Sequence, residues 1–213
     1  MPREQIETDR LTLDAIHNCS VDELYDAFDV EGEDVFSLCS WSKHENRTET
    51  SSFVENAGKS WIKDEKYRYT VRLKHTNKIV GTTYIDTGTQ SEAGILGLWL
   101  DKPYWGMGIS GERADAIIKM SFEELDLTHV RVGCLSENNK SRRAIEKYIS
   151  RHGGVFYGVL PVSADSYSSY PQATRPHIEY AIRHEDYHQD SEGIECMIPG
   201  LEYKDIDFSN LSP

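Results

Sequence analysis

The chain has 213 residues, 38% apolar and 28% charged, which is typical of one globular domain and excludes a disordered, collagenous or coiled-coil protein. No apolar run approaches the roughly 20 residues that span a bilayer, and residues 1–10 are too charged for a secretory signal, which predicts a cytoplasmic protein with no membrane partner. The net charge of −13 opposes binding to the phosphates of nucleic acid, so no nucleic-acid partner is expected.

The first half of the chain predicts the order strand, helix, helix, strand, strand. These elements lie at residues 10–13, 19–28, 53–63, 67–74 and 78–86. The two strands of the last pair show period-two alternation on either side of Thr76-Asn77, which predicts an antiparallel hairpin. The polar stretch 42–52 predicts a surface loop before the second helix.

The second half predicts strand, helix, strand, helix, strand, strand, at residues 93–100, 112–125, 129–135, 140–151, 155–162 and 177–183. The first of these strands is apolar along its whole length, as expected of a central strand buried on both faces. The resulting class is α+β, with about seven strands and about four helices. We expect residues 1–189 to form the domain and residues 190–213, which show no period, to be an acidic C-terminal tail.

A glycine-rich loop precedes the third helix. Gly106-x-Gly108-x-x-Gly111 matches the dinucleotide fingerprint literally, but Pro103 and its neighbours separate the preceding strand from the first glycine, and no series of parallel units follows. The loop still offers backbone N–H groups at a helix start, where an anion such as pyrophosphate is favoured. A simple tight turn explains the glycines equally well if the loop is taken alone.

The next helix is strongly basic. Residues 138–152 hold five basic side chains against Glu146, at the start of the helix that follows the next strand. Two consecutive helix starts, one rich in glycine and one basic, could therefore lie side by side over a shared phosphate group. The alternative is a solvated helix face.

Three segments of the chain together resemble the GCN5-related N-acetyltransferases (GNAT), and within them the RimJ/RimL-like branch. The matching residues are Thr8-x-Arg10-Leu11-x-Leu13, the run 98–109 (LWLDKPYWGMGI), and Asn138-x-x-Ser141 followed by Glu146-Lys147. The resemblance covers residues 7–187. It implies the mixed, mostly antiparallel GNAT sheet, and acetyl-CoA as the co-substrate without a metal.

The resemblance also implies which residues bind acetyl-CoA. The backbone of residues 98–100 would pair with the pantetheine arm, the amides of residues 107–111 would hold the pyrophosphate, and the start of the basic helix would reach pantetheine, sulfur and adenosine phosphates. The implied set is Leu98, Trp99, Leu100, Trp105, Gly106, Met107, Gly108, Ile109, Ser110, Gly111, Asn138, Lys140, Ser141, Arg142 and Arg143.

The catalytic residues follow the family pattern less closely. Ile145 stands where relatives outside this branch often carry a tyrosine that acts as the general acid. Tyr148, three residues further on, is expected to point away from the site. Ser141 is then the predicted proton donor to the leaving thiolate. Ile95 replaces a carboxylate that is often seen in the fourth strand, which leaves Glu92 as the predicted base, with Asp86 and Glu112 as further carboxylate candidates.

The expected function is direct acetyl transfer to a primary amine, either a protein N-terminus, as in ribosomal-protein acetylation, or a small molecule. Acetyl transfer needs mainly placement and a donor to the oxyanion, here a backbone N–H of residues 98–100. A non-catalytic CoA-binding regulatory protein on the same fold is the alternative, and a nicotinamide-dependent dehydrogenase is a third hypothesis. Homodimers are common among similar proteins, and the acidic ends mildly favour a cationic acceptor.

Overall fold

The computed structural model describes residues 1–29, 43–88, 92–160 and 175–187. The strands in these ranges are β1 (Gln5–Glu7), β2 (Leu11–Ala15), β3 (Lys66–Leu73), β4 (Ile79–Asp86), β5 (Ala93–Leu100), β6 (His129–Leu135), β7 (Val155–Leu160) and β8 (His177–Arg183). The helices are α1 (Val21–Phe28), α2 (Arg47–Ile62), α3 (Ile109–Glu123) and α4 (Asn139–Arg151). The predicted tail over residues 190–213 and the last part of the strand predicted over 155–162 lie outside the described residues.

The strands form one sheet in the order β1-β2-β3-β4-β5-β6-β8-β7. The β5–β6 pair is parallel, and every other pair is antiparallel. The predicted α+β class with a mostly antiparallel sheet is therefore confirmed, with eight strands in the described ranges instead of about seven. The additional strand, β1, has three residues, which is too short for a detectable period in the sequence.

The helices cover the two faces of the sheet. Phe28 of α1 packs against Trp99 of β5, with ring centroids 5.4 Å apart, and α1 and α2 share a small buried core with it. Leu96 and Leu100, which alternate with Trp99, point to the opposite face and join the main core under α3 and α4. The central strand β5 is thus packed from both sides near its C-terminal end.

The polar loop predicted over residues 42–52 is partly wrong, because α2 begins at Arg47. Asn46 caps this helix: its side-chain oxygen accepts a hydrogen bond from the Glu49 amide at 3.1 Å, while Glu49 accepts one from the Glu45 amide at 2.9 Å. This reciprocal capping compensates for the polar sequence of the first turn. Helix α3 likewise begins earlier than predicted, directly at the glycine loop.

Candidate functional site

Strands β5 and β6 separate from each other halfway along their length. They pair from Ala93↔His129 to Leu96↔Val132, and beyond this point residues 97–100 pair with β4 while residues 133–135 pair with β8. The described structure therefore has a gap in the middle of the sheet, with unpaired backbone on the facing edges of both strands. An extended ligand can add to such an edge as a strand does.

The glycine loop lies at the mouth of this gap. Gly106 and Gly108 both have φ of +78°, and Gly108 is the residue before the first turn of α3. Only glycine adopts this left-handed conformation readily. Within the described part of the chain, the amides of residues 106–111 donate to no protein acceptor. Because these unpaired N–H groups stand at a helix N-terminus, they favour an anion.

An ion pair between Arg10 and Glu112 anchors the loop to the start of β2. The sequence analysis named both residues but did not predict that they pair. Arg10 Nε donates to Glu112 at 2.6 Å, and Arg10 Nη1 donates to the carbonyl of Met107 at 2.8 Å. Glu112 also accepts hydrogen bonds from the Thr8 hydroxyl at 2.5 Å and the Arg10 amide at 2.7 Å. Although burial opposes it, these hydrogen bonds lower the pKa of Glu112. Glu112 therefore acts as a structural anchor for the loop.

Helix α4 presents a cationic stripe to the same gap. Lys140, Arg143, Lys147 and Arg151 follow one another at three- and four-residue spacing, so they share one face of the helix, and all four line the cavity described below. Arg142 lies off this face and pairs with Glu146 at 3.6 Å. The sequence analysis did not include Lys147 or Arg151 among the predicted acetyl-CoA-binding residues. Their helical spacing from Lys140 is the signal that could have identified them.

The glycine-rich loop and the start of α4 lie next to each other, while a phosphate shared between the two helix starts stays a prediction. The ammonium of Lys140 lies 5.2 Å from the ring centroid of Trp105, and the Trp105 indole donates to the carbonyl of Leu100 at 2.7 Å. Trp105 therefore joins the end of β5, the glycine loop and the start of α4. This contact gives a physical reason for a tryptophan at position 105.

A continuous cavity of about 1660 Å³ includes the gap, the glycine loop and the start of α4. Its lining contains every predicted acetyl-CoA-binding residue except Met107 and Arg142. The side chain of Met107 is 55% exposed, and its carbonyl is used by Arg10. The structure thus brings together thirteen of the fifteen residues selected from the sequence, whose role in binding stays a prediction.

Ser141 lies in the first turn of α4 and lines the cavity. Its amide donates to the side-chain oxygen of Asn138 at 3.1 Å, so this cap fixes where the serine stands. Cys134 lines the cavity nearby, and burial raises the pKa of its thiol to about 11. Cys134 is therefore protonated near neutral pH and is a poor nucleophile.

Of the three predicted carboxylates, Asp86 and Glu112 line the cavity and Glu92 does not. Glu92 is exposed just before β5, at the end where β5 and β6 are still paired, and it does not belong to the cavity lining. Asp86 lines the cavity and pairs with Lys66 at 2.6 Å. Tyr148 is fully buried against Arg113, 5.8 Å from its guanidinium carbon, so it points away from the cavity as expected.

The cavity continues through the gap to the sheet face that carries α2. A row of paired positions crosses this face from Arg68 in β3 through Tyr84 in β4 to Gly97 in β5. The Tyr84 ring lies over Gly97, where a β-carbon would collide with it. Phe53 of α2 lies beside Arg68, with 5.5 Å between guanidinium carbon and ring centroid. Sequence reasoning did not identify this surface.

Comparison with known proteins agrees with this geometry. The family model of the GNAT acetyltransferase domain matches residues 10–148. A curated protein of Bacillus subtilis, "Probable N-acetyltransferase YjcK", is 31% identical over 88 residues, which is 40% of this chain and 48% of that protein. The matched segment thus spans about half the length of that relative.

Solved structures with the same fold include acetyltransferases from several bacteria. The ribosomal-protein-S5-alanine acetyltransferase of Vibrio fischeri superposes with a TM-score of 0.72 at 18% identity, over 86% of this chain and 98% of that one. A GCN5-related N-acetyltransferase of Brucella melitensis has a TM-score of 0.70 at 20% identity, over 87% and 81%. The microcin C7 self-immunity acetyltransferase MccE, solved with acetyl-CoA and AMP, has a TM-score of 0.69 at 18% identity, over 83% and 93%.

The sheet order and the cleft between β5 and β6 are features of the GNAT acetyltransferase fold. The chain belongs to the GNAT acetyltransferase domain family, as its motifs predicted, and ribosomal-protein acetyltransferases are among the proteins that share its fold. Within the described ranges, no helix has the length and apolarity needed to cross a membrane. The same ranges contain no cluster of three or more His, Cys, Asp or Glu side chains suited to a metal ion.

Proposed function

We propose that this chain is an acetyl-CoA-dependent N-acetyltransferase that transfers the acetyl group directly to a primary amine. The observation that carries the proposal is the continuity of one cavity from the unpaired amides of residues 106–111, along the free edge of β5, to the opposite face of the sheet. Such a cavity can hold a phosphorylated thioester on one face and an amine on the other.

The residues of the first face fit acetyl-CoA. The unpaired amides at the start of α3 suit the pyrophosphate, the edge of β5 at residues 97–100 suits the amides of pantetheine, and the cationic stripe of α4 suits further phosphates. Family members use acetyl-CoA, and the related MccE structure contains it. All three features line the same cavity.

The chemical step needs little beyond placement. The amine nitrogen attacks the thioester carbonyl carbon, the carbon–sulfur bond breaks, the sulfur leaves with a proton, and the nitrogen loses one. Ser141, whose backbone amide donates to the Asn138 side chain, would supply the proton to sulfur, and an N–H of β5 would stabilise the oxyanion. An α-amino group with a pKa of about 7.7–8.0 is partly neutral near pH 7.5, so it can attack without a strong base. Water can then accept the proton that the nitrogen loses after the attack.

The acceptor is a protein N-terminus or a small-molecule amine. The fold shared with ribosomal-protein acetyltransferases supports the first, and the cavity's open second face accommodates either. Glu92 lies outside the cavity lining, so a base role for it would require water between the carboxylate and the amine.

The test combines binding and turnover. Titration calorimetry with acetyl-CoA is expected to show binding below 100 micromolar, on the order of common co-substrate affinities, and release of free CoA thiol is expected with at least one member of a panel of amines and N-terminal peptides. Absence of acetyl-CoA binding would remove the proposal. Binding without turnover on any amine would instead favour the non-catalytic CoA-binding protein.

A further inference from the structure

The acceptor side of the cavity contains three cationic side chains and two carboxylates among its described residues. Lys66 pairs with Asp86 at 2.6 Å, and Arg131 pairs with Glu179 across the β6–β8 pair. Within each pair, the cation and the carboxylate neutralise each other. His177, which also lines this side, has its pKa lowered by burial and is neutral near pH 7. Among the described residues of this surface, the charge that these two pairs leave over is that of Arg68.

Arg68 forms no hydrogen bond or ion pair with any side chain in the described part of the chain. Its guanidinium lies against the Phe53 ring, and Asp86, the carboxylate that acts on it electrostatically, is already engaged by Lys66. Arginine does not lose its proton in proteins. A partly buried cation without an anionic partner carries a desolvation cost, which a bound anion would offset.

The position of Arg68 relates it to the reaction centre of the proposed function. Arg68 pairs with Tyr84, and Tyr84 pairs with Gly97, directly beside the free edge of β5. Because neighbouring strands lie about 4.8 Å apart, the α-carbons of Arg68 and Gly97 are separated by about 10 Å. An arginine that extends along this row spans much of that distance. Phe53, Tyr84 and the 42% exposed Ile95 supply apolar contacts along the same path.

We propose that the acceptor amine carries an anionic group, a carboxylate or a phosphate, a few bonds from the nitrogen, and that Arg68 binds this group while the amine reaches the thioester beside Gly97. This inference rests on the proposed acetyl transfer and names its substrate class. It differs from the cationic acceptor that the acidic ends of the sequence suggested. Those acidic ends make the net charge of the whole molecule more negative, whereas the acceptor is selected by the charge that it meets inside the cavity.

The experiment compares matched acceptor pairs that differ in one negative charge. The pairs are 4-aminobutyrate and 4-aminobutyramide, phosphoethanolamine and ethanolamine, and C-terminally amidated peptides that begin with Asp or with Asn. The wild-type protein is expected to favour the anionic member of at least one pair by about ten- to hundredfold in kcat/KM, the range of a charge-assisted hydrogen bond. The pair with the largest ratio of kcat/KM values identifies which anionic group Arg68 binds: the carboxylate of a small amine, a phosphate, or the side chain of an N-terminal Asp.

Variants of Arg68 test whether this residue is responsible. Arg68→Met is expected to bring the ratio within each pair close to one, and Arg68→Lys, which keeps a charge but not the planar fork, is expected to give an intermediate ratio. Lys63→Met is the matched control, since it removes one exposed positive charge outside the cavity lining and should keep the wild-type ratio. If Arg68→Met does not fold, the Arg68→Lys ratio decides.

Two results overturn the inference: equal or better use of the uncharged member in every pair, or an anionic preference that both Arg68 variants retain. Acetyl-CoA binding without acetylation of any anionic amine also overturns it, while the proposed function is then tested by the wider amine panel. Lack of acetyl-CoA binding is the separate failure of the proposed function. Titration calorimetry before each kinetic series therefore distinguishes the two failures.

Discussion

The two halves of the cavity differ in how the chain builds them. The half at the starts of α3 and α4 consists largely of backbone amides and of side chains from two short segments, residues 98–111 and 138–151. The acceptor half is assembled from single side chains of β3, β4, β5, β6, β8 and α2, which are far apart in the sequence. A site made of local backbone geometry has a recognisable motif, whereas a site made of dispersed side chains does not.

The largest expected loss of acetyl-CoA affinity comes from replacing Gly108 in the half of the cavity at the starts of α3 and α4. Gly108→Trp should weaken acetyl-CoA binding by more than about a hundredfold, because a side chain at φ of +78° strains the loop and fills the space before α3. Titration calorimetry measures the loss. Gly153→Trp, at another left-handed glycine outside the cavity lining, is the control for strain alone. Equal affinities of the wild type and Gly108→Trp would mean that the loop is only a turn.

The next largest effect is on the rate of the chemical step and leaves acetyl-CoA binding at the starts of α3 and α4 intact. Ser141→Ala should lower kcat by roughly ten- to hundredfold with little change in acetyl-CoA affinity, because it removes the proton donor but keeps the Asn138 cap on the backbone amide. Steady-state kinetics and calorimetry separate the two quantities. Ser150→Ala is the control, since this hydroxyl donates to the Lys147 carbonyl elsewhere on α4. Full activity of Ser141→Ala would exclude Ser141 as the acid.

A smaller effect distinguishes the two neighbouring arginines of α4. Arg143→Ala should raise the KM for acetyl-CoA by about three- to tenfold, and more at low salt, because Arg143 stands on the stripe that lines the cavity. Arg142→Ala should have a smaller effect, since Arg142 is directed to Glu146. Kinetics at two ionic strengths provide the measurement. The reverse order of the two variants would contradict the position of the stripe.

Replacing Glu112, the anchor of the glycine loop, should change acetyl-CoA binding least but should clearly lower the stability of the protein. Glu112→Gln should lower the free energy of unfolding by about 2 kcal/mol, because the charged hydrogen bonds from Arg10 and Thr8 weaken. Denaturant unfolding measures this change.

The pH dependence of the same anchor has a definite sign. The folded pKa of Glu112 is lowered from 4.5, so its contribution to stability is present above that pH and is lost as the pH falls through the folded value. The difference between wild type and Glu112→Gln should therefore shrink below about pH 4.5. A difference that stays constant down to pH 2 would mean that the carboxylate charge does not stabilise the loop.

The sequence by itself determined the class of the fold and most of the first half of the cavity. Alternation at residues 67–74, the apolar run at 93–100 and the helical spacing of α4 each specify an element, because side-chain periodicity reports local backbone geometry. The glycine loop was recognisable because the left-handed conformation limits residue choice to glycine at the positions that carry it. The start of α2 at Arg47 was missed, although Asn46 and Glu49 have the spacing of a capping box.

Only the tertiary structure decided which side chains face the cavity and which charges neutralise each other. The separation of β5 from β6, the orientation of Arg143 but not Arg142 toward the gap, and the placement of Glu92 at the paired end of β5 depend on strand order and register. Arg68, Tyr84 and Gly97 form one row only because three strands align them. Pairing between strands is a non-local property, and a single sequence contains no period that reports it.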